Sequence, residues 1–164
     1  MVEDHFAILK VWPWLTYAFR EAIFALAQIE QEWLGSRKGI VLSQVREALE
    51  AAMLANPIHW KKYYHGDEAY LSYARKYSYS DRCRYYWPQP EVDAALSKLK
   101  ANLSHNPPPL PLLSLYLPVQ YEAIRQGHVG STPEILIRHK ITEVTSCYAH
   151  ACWASQRLSL RDSQ

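Results

Sequence analysis

The sequence predicts a mainly α-helical chain with one strand near its start. Apolar residues recur three or four apart over Phe19, Ile23, Leu26, Ile29 and Trp33, the period of a helix with one buried face. Helix-start chemistry recurs down the chain, at Asn56-Pro57, at Asp67 and at Ser131-Thr132-Pro133-Glu134. Against these, a single short stretch, Phe6 to Val11, is apolar at successive positions, as a strand buried on both faces would be.

The elements follow in order. Phe6 to Val11 is the predicted strand, ended by Trp12-Pro13-Trp14, and Thr16 is the expected N-cap of the long helix that Gly35 stops. Ser43 to Ala55 is a second helix burying Val45, Leu49 and Met53. Asn56 caps a third with Pro57 at its first position, carrying Trp60, Tyr63 and Tyr64 inward until Gly66. Asp67 caps a short piece through Arg75, and Pro90 opens an amphipathic helix with Val92, Leu96, Leu99 and Leu103 on one face. Residues 16–105 thus read as helical and 106–118 as a proline-rich connector, because four prolines between Asn106 and Pro111 exclude a helix interior. Its Pro108-Pro109-Leu110-Pro111 has the spacing of a polyproline ligand, but a rigid connector is the preferred reading. Residues 119–154 carry the C-terminal helices, the last with Ile137, Ile141, Val144 and Tyr148 inside, and 155–164 a polar tail.

Composition sets the bounds. The 164 residues are 49% hydrophobic, enough for one domain with a core. A net charge of +2 is too small to point to nucleic acid or an anionic membrane. No apolar run approaches the roughly 20 residues that span a bilayer, and three cysteines without a paired pattern fit a reducing compartment, so the expected location is cytoplasmic. No cofactor or metal is expected. His5, His59 and His65 do not converge, and Cys147, His150 and Cys152 diverge on a helix, so a core-facing cysteine pair is the reading there. Five scattered glycines form no phosphate cradle, and no Walker loop is present.

The densest chemistry lies in Tyr77 to Trp87, with five aromatics, two arginines and Asp81. Ser80 is the expected N-cap there, with Asp81 in the first turn. The segment Ser80-Asp81-Arg82-Cys83-Arg84-Tyr85-Tyr86-Trp87 resembles the S-D-R-x-R-Y-Y-W block of the non-catalytic subunit of class II D-tagatose-1,6-bisphosphate aldolase. Glu3-Asp4-His5-Phe6-Ala7-Ile8-Leu9-Lys10-Val11, Pro13, Leu15-Thr16 and Arg20-Glu21-Ala22 resemble another block of that family in register. Trp60-Lys61-Lys62-Tyr63-Tyr64 and Leu112 to Tyr121 resemble two more. Trp12 and Leu115 stand where the family has glycine and glutamine.

The resemblance implies the C-terminal segment of a (β/α)8 barrel, a truncated single domain over residues 1–164 that opens at the last barrel strand. It implies a subunit that stabilises or activates a catalytic class II aldolase in the breakdown of galactitol or amino-galactose sugars, with no turnover of its own. Phosphate-binding candidates are Lys10 and Thr16, at the strand-to-helix turn, and Arg82 and Arg84; the plainer alternatives are a strand-end lysine, a helix cap and an ion-pair network. Partner-contact candidates are Phe19, Ile23, Leu26 and Trp87, whose faces the missing barrel would cover, leading to a homo- or hetero-oligomer. Two rivals stay open. One is a sugar-phosphate enzyme of the same family, aldolase or tagatose-6-phosphate kinase, and the other a nucleic-acid binder through the basic, aromatic stretch 59–87.

Overall fold

The computed structural model describes residues 13–159, with side chains through residue 152. Seven α-helices account for most of it: α1 (Trp14–Leu34), α2 (Val45–Ala55), α3 (Glu68–Tyr77), α4 (Pro90–His105), α5 (Leu110–Tyr116), α6 (Pro118–Arg125) and α7 (Pro133–Ser159). Two short 3₁₀ turns, Pro57–His59 and Arg82–Tyr85, sit between them. The expectation of helices plus one strand is therefore corrected, because the described residues hold no strand at all; the predicted strand, Phe6 to Val11, lies outside them.

Long α1 is the axis of the fold. Its stripe of Ala22, Ile23, Leu26 and Ile29 is buried, and α4, α5 and α7 close over it with Leu99, Leu103, Leu113 and Leu136. A second core, rich in aromatic rings, lies between α2, α3 and the two 3₁₀ turns, where Leu49 and Met53 meet Trp60, Tyr64, Cys83 and Tyr86. Phe24 and Trp87 pack against both.

Local chemistry explains most boundaries. Asp67 caps α3 as expected, its carboxylate accepting from the Tyr70 amide at 2.8 Å, and the Asn56 side chain accepts from the Ile58 amide at 3.4 Å. The helix expected from Pro57 to Gly66 is only one 3₁₀ turn followed by turns, because Tyr63 faces outward and leaves no continuous apolar stripe. Within 106–118 the connector shrinks to Asn106 through Pro109, since Pro111 is tolerated in the first turn of α5, where its missing N–H costs nothing. Gly127, at φ 72°, ends α6 in a conformation that a side chain would resist. Cys147 and Cys152 are both exposed, which corrects the expected core-facing pair. None of the described helices is long and apolar enough to cross a membrane.

Candidate functional site

Thr16 and Arg20 lie one helical turn apart on α1, on the stripe that otherwise carries Ile23 and Ala27. Two polar side chains on a buried stripe need partners, and both find Asp81. Thr16 is not the N-cap of α1, which begins two residues earlier. Its Oγ1 lies 2.5 Å from Asp81 Oδ2 and 2.9 Å from the Pro13 carbonyl; one hydroxyl proton serves one acceptor, and the shorter, charge-assisted contact takes it. Arg20 donates to Asp81 Oδ1 at 2.9 Å, to the Ser78 carbonyl at 3.1 Å and to that of Tyr77 at 3.4 Å. Both members of this ion pair are almost wholly withdrawn from solvent, with side-chain exposures of 3% and 0%.

Asp81 is not a first-turn acid behind a Ser80 cap. It sits before the 3₁₀ turn in the left-handed region, φ 51° and ψ 48°, which aspartate accepts more readily than most residues. That turn of the backbone sends its carboxylate inward toward α1. Cys83 Sγ donates to Asp81 Oδ1 at 3.3 Å, and burial first, then the neighbouring carboxylate, push its thiol up to about 12. A thiol so held stays protonated at neutral pH and is no nucleophile. Arg20 is held above its ordinary range even though burial, the largest influence on it, acts downward; the Cys83 sulfur and the Asp81 carboxylate outweigh that. Outside the cluster the Arg20 guanidinium lies 4.4 Å over the Tyr17 ring, which stacks on the exposed Tyr79.

The predicted phosphate set is thus divided. Lys10 lies outside the described residues, and Thr16 is committed to Asp81. Arg84 donates to the carbonyls of Ser80 and Asp81 at 2.7 and 3.0 Å and to the Tyr85 hydroxyl at 2.8 Å. The Arg82 guanidinium carbon lies over the Tyr63 ring, 3.3 Å from its centroid, and the Arg82 backbone amide donates to the Tyr64 hydroxyl. Neither arginine joins an ion-pair network with Asp81; that role falls to Arg20. Arg20 went unsingled in the sequence, although a charged residue on the apolar stripe one turn after Thr16 was the signal.

Of the partner-contact candidates, Phe19 and Trp87 are half-buried and Ile23 and Leu26 face inward. Ile23 and Leu26 are wholly buried in the chain's own core, and Phe19 meets Trp87 edge to face at 5.2 Å. Helices α4, α5 and α7 supply the cover that had been assigned to another chain. A separate polar cluster ties α3 to α2: Arg75, 2% exposed, bridges Glu50 and Glu68 while Lys76 reaches Glu50 at 2.6 Å. Among the described residues no group of histidine, cysteine, aspartate and glutamate is arranged to hold a metal ion.

Two comparisons bear on this arrangement. Residues 1–153 match the family described as D-tagatose-1,6-bisphosphate aldolase subunit GatZ/KbaZ-like. The fold is similar, with a TM-score of 0.83 and 38% sequence identity, to the crystal structure of a probable tagatose 6 phosphate kinase from Sinorhizobium meliloti 1021. The match covers 92% of this chain and 38% of that one, so the chain spans well under half of its relative. With a family match over nearly all of its length, the chain belongs to the GatZ/KbaZ-like family of tagatose-bisphosphate aldolase subunits.

Proposed function

We propose that the chain is a non-catalytic component of a class II tagatose-bisphosphate aldolase, stabilising or activating a catalytic subunit in the cytoplasmic breakdown of galactitol-type sugars. One observation carries the reading: the most chemically equipped cluster, Thr16, Arg20, Asp81 and Cys83, is closed on itself. Each polar group there is matched by another, with the thiol protonated, so the cluster fastens the 78–87 segment to α1 and offers nothing to a substrate.

The purified chain is expected to give no cleavage of tagatose-1,6-bisphosphate and no ATP-dependent phosphorylation of tagatose-6-phosphate. Added to a class II tagatose-bisphosphate aldolase catalytic subunit, it is expected to raise that enzyme's thermal midpoint or turnover. Turnover by the chain alone would replace this reading with the sugar-phosphate enzyme that the relative's description names. No effect on the aldolase would remove it.

A further inference from the structure

The stretch 59–64 and the 3₁₀ turn 82–85 come together on the aromatic core and build an exposed face. Two rings organise it. Tyr63 carries Arg82 at 3.3 Å and Lys62 at 5.0 Å from its centroid, which keeps the two cationic centres within about 8 Å of each other by geometry alone. Tyr85 carries Arg84 at 4.4 Å and stacks on His59 at 4.6 Å. Lys61 and Ile58, the latter 68% exposed, flank them.

What distinguishes these cations is that they gather on shared rings with no carboxylate against them: Arg20, Arg75, Lys76 and Lys140 each pair with an acid, whereas Lys62 and Arg82 meet over Tyr63 and pair with none among the described residues. The stretches 59–65 and 82–85 contain four Lys or Arg and no Asp or Glu. The whole chain has 18 basic and 16 acidic residues, so with those four set aside fourteen bases face sixteen acids. These two stretches therefore hold a local excess of positive charge in a chain that is otherwise close to balanced. The Tyr63 phenol registers it, held below its ordinary range by the hydrogen bond from Lys62 first and by the charge of Arg82.

We infer that this face, centred on Arg82, Lys62 and Tyr63, is the docking surface for an acidic patch on a partner protein. The inference rests on the subunit reading above and names the surface that reading requires. Three features select a protein over other anions. Lys61, Lys62 and Tyr63 are exposed, so a small phosphate here would stay hydrated and gain little from either charge. Tyr63 and Tyr85 already carry cations or an imidazole against their rings, which leaves less of their faces for stacking nucleobases. Arginine and tyrosine at the centre with an exposed aliphatic side chain beside them is the composition of an interface hot spot, where an incoming carboxylate meets a guanidinium already held in place.

The test uses the full chain and, as probe, an immobilised catalytic subunit of a class II tagatose-bisphosphate aldolase. Wild type should bind with an affinity that falls as salt rises. The double variant Lys62→Glu/Arg82→Glu should bind about tenfold more weakly or worse, with a flatter salt dependence, while Arg82→Lys keeps most of the binding. Lys62→Glu alone, at an exposed position free of folding effects, should weaken binding about threefold or more. Wild-type binding that the double variant leaves unchanged overturns this inference and leaves the subunit reading standing. Absence of wild-type binding overturns both. Retention on heparin or single-stranded DNA that depends on Arg82, with none on the aldolase, overturns it in favour of nucleic acid.

Discussion

The two cores of this protein solve the same problem by different means. The core around α1 is aliphatic: Ile23, Leu26, Ile29, Leu99, Leu103 and Leu136 interlock from helices that are each regular for several turns. The core around Trp60 and Tyr86 sets rings from the turn segments against α2, α3 and α4, so its order comes from directed bonds as well as area. Trp60 Nε1 donates to the Met53 carbonyl at 2.6 Å, the Tyr86 hydroxyl to the Asn56 carbonyl at 2.5 Å, and the Tyr64 hydroxyl accepts from Ser80 and from the Arg82 amide. Rings with polar tips bury large area and also satisfy the carbonyls and amides that short turns leave unpaired. Regular helices need no such help. Where backbone regularity fails, side chains with both an apolar body and a hydrogen-bonding end take over, and the Arg20–Asp81 pair joins the two regimes across α1.

That junction is where the largest effect is expected. Asp81→Ala would leave Arg20 charged and buried without its carboxylate, costing about 3–5 kcal/mol in urea unfolding monitored by circular dichroism. Replacing both members, as Arg20→Met/Asp81→Leu, should cost clearly less than the sum of the single changes, because no lone charge remains. Additive losses would show that the pair does not couple the two regions. Next comes the aliphatic core itself: Leu26→Ala, at a site with no exposure, should cost about 2–5 kcal/mol by the same measurement. In the aromatic core the corresponding probe is smaller, since Tyr86→Phe keeps the ring and removes only the bond to the Asn56 carbonyl, for about 1–3 kcal/mol. A Tyr86→Phe loss equal to that of Leu26→Ala would mean that directed bonds outweigh packing there.

The same contrast explains what the sequence disclosed. Period and caps located α1, α2, α3 and α4 to within a few residues, and the buried positions Val45, Leu49, Met53, Val92, Leu99 and Leu103 followed from spacing alone. Regular helices write their core into the period. The aromatic members of the second core have no period: Trp60, Tyr64 and Tyr86 lie in or beside turns, and only the fold brings Tyr64 to Ser80 or Tyr86 to Asn56. The site failed for a related reason. The arginines beside Asp81 in sequence looked like its partners, but the left-handed backbone at Asp81 sends its carboxylate to Arg20, 61 positions earlier, and turns Arg82 toward Tyr63. Ile23 and Leu26 were assigned to a partner because a missing barrel would have covered them, whereas α4, α5 and α7 do so within the chain. α5 itself was hidden by its prolines.

The smallest expected effect sharpens the comparison from the polar side, at the joint between α2 and α3. The Glu50 carboxylate is held below its ordinary range although its partial burial, the largest single influence, acts upward; hydrogen bonds from Lys76, Arg75 and Ser72 and the charge of Lys76 outweigh it. A carboxylate whose folded value is depressed contributes stability that is complete above its unfolded value and is lost as pH falls through the folded one. Stability supplied by Glu50 is therefore expected in full above about pH 4.5 and to drain away below it, in urea midpoints measured from pH 7 to pH 3. Glu50→Gln removes the titration while keeping the shape, so the variant should be less stable than wild type at pH 7 and converge on it toward pH 3. Leu26→Ala alters no titratable group, so it should be displaced from wild type by a constant amount over the same range. A Glu50→Gln profile parallel to wild type would show that the bridge to Arg75 and Lys76 contributes nothing measurable. The α2–α3 joint would then rest on packing alone.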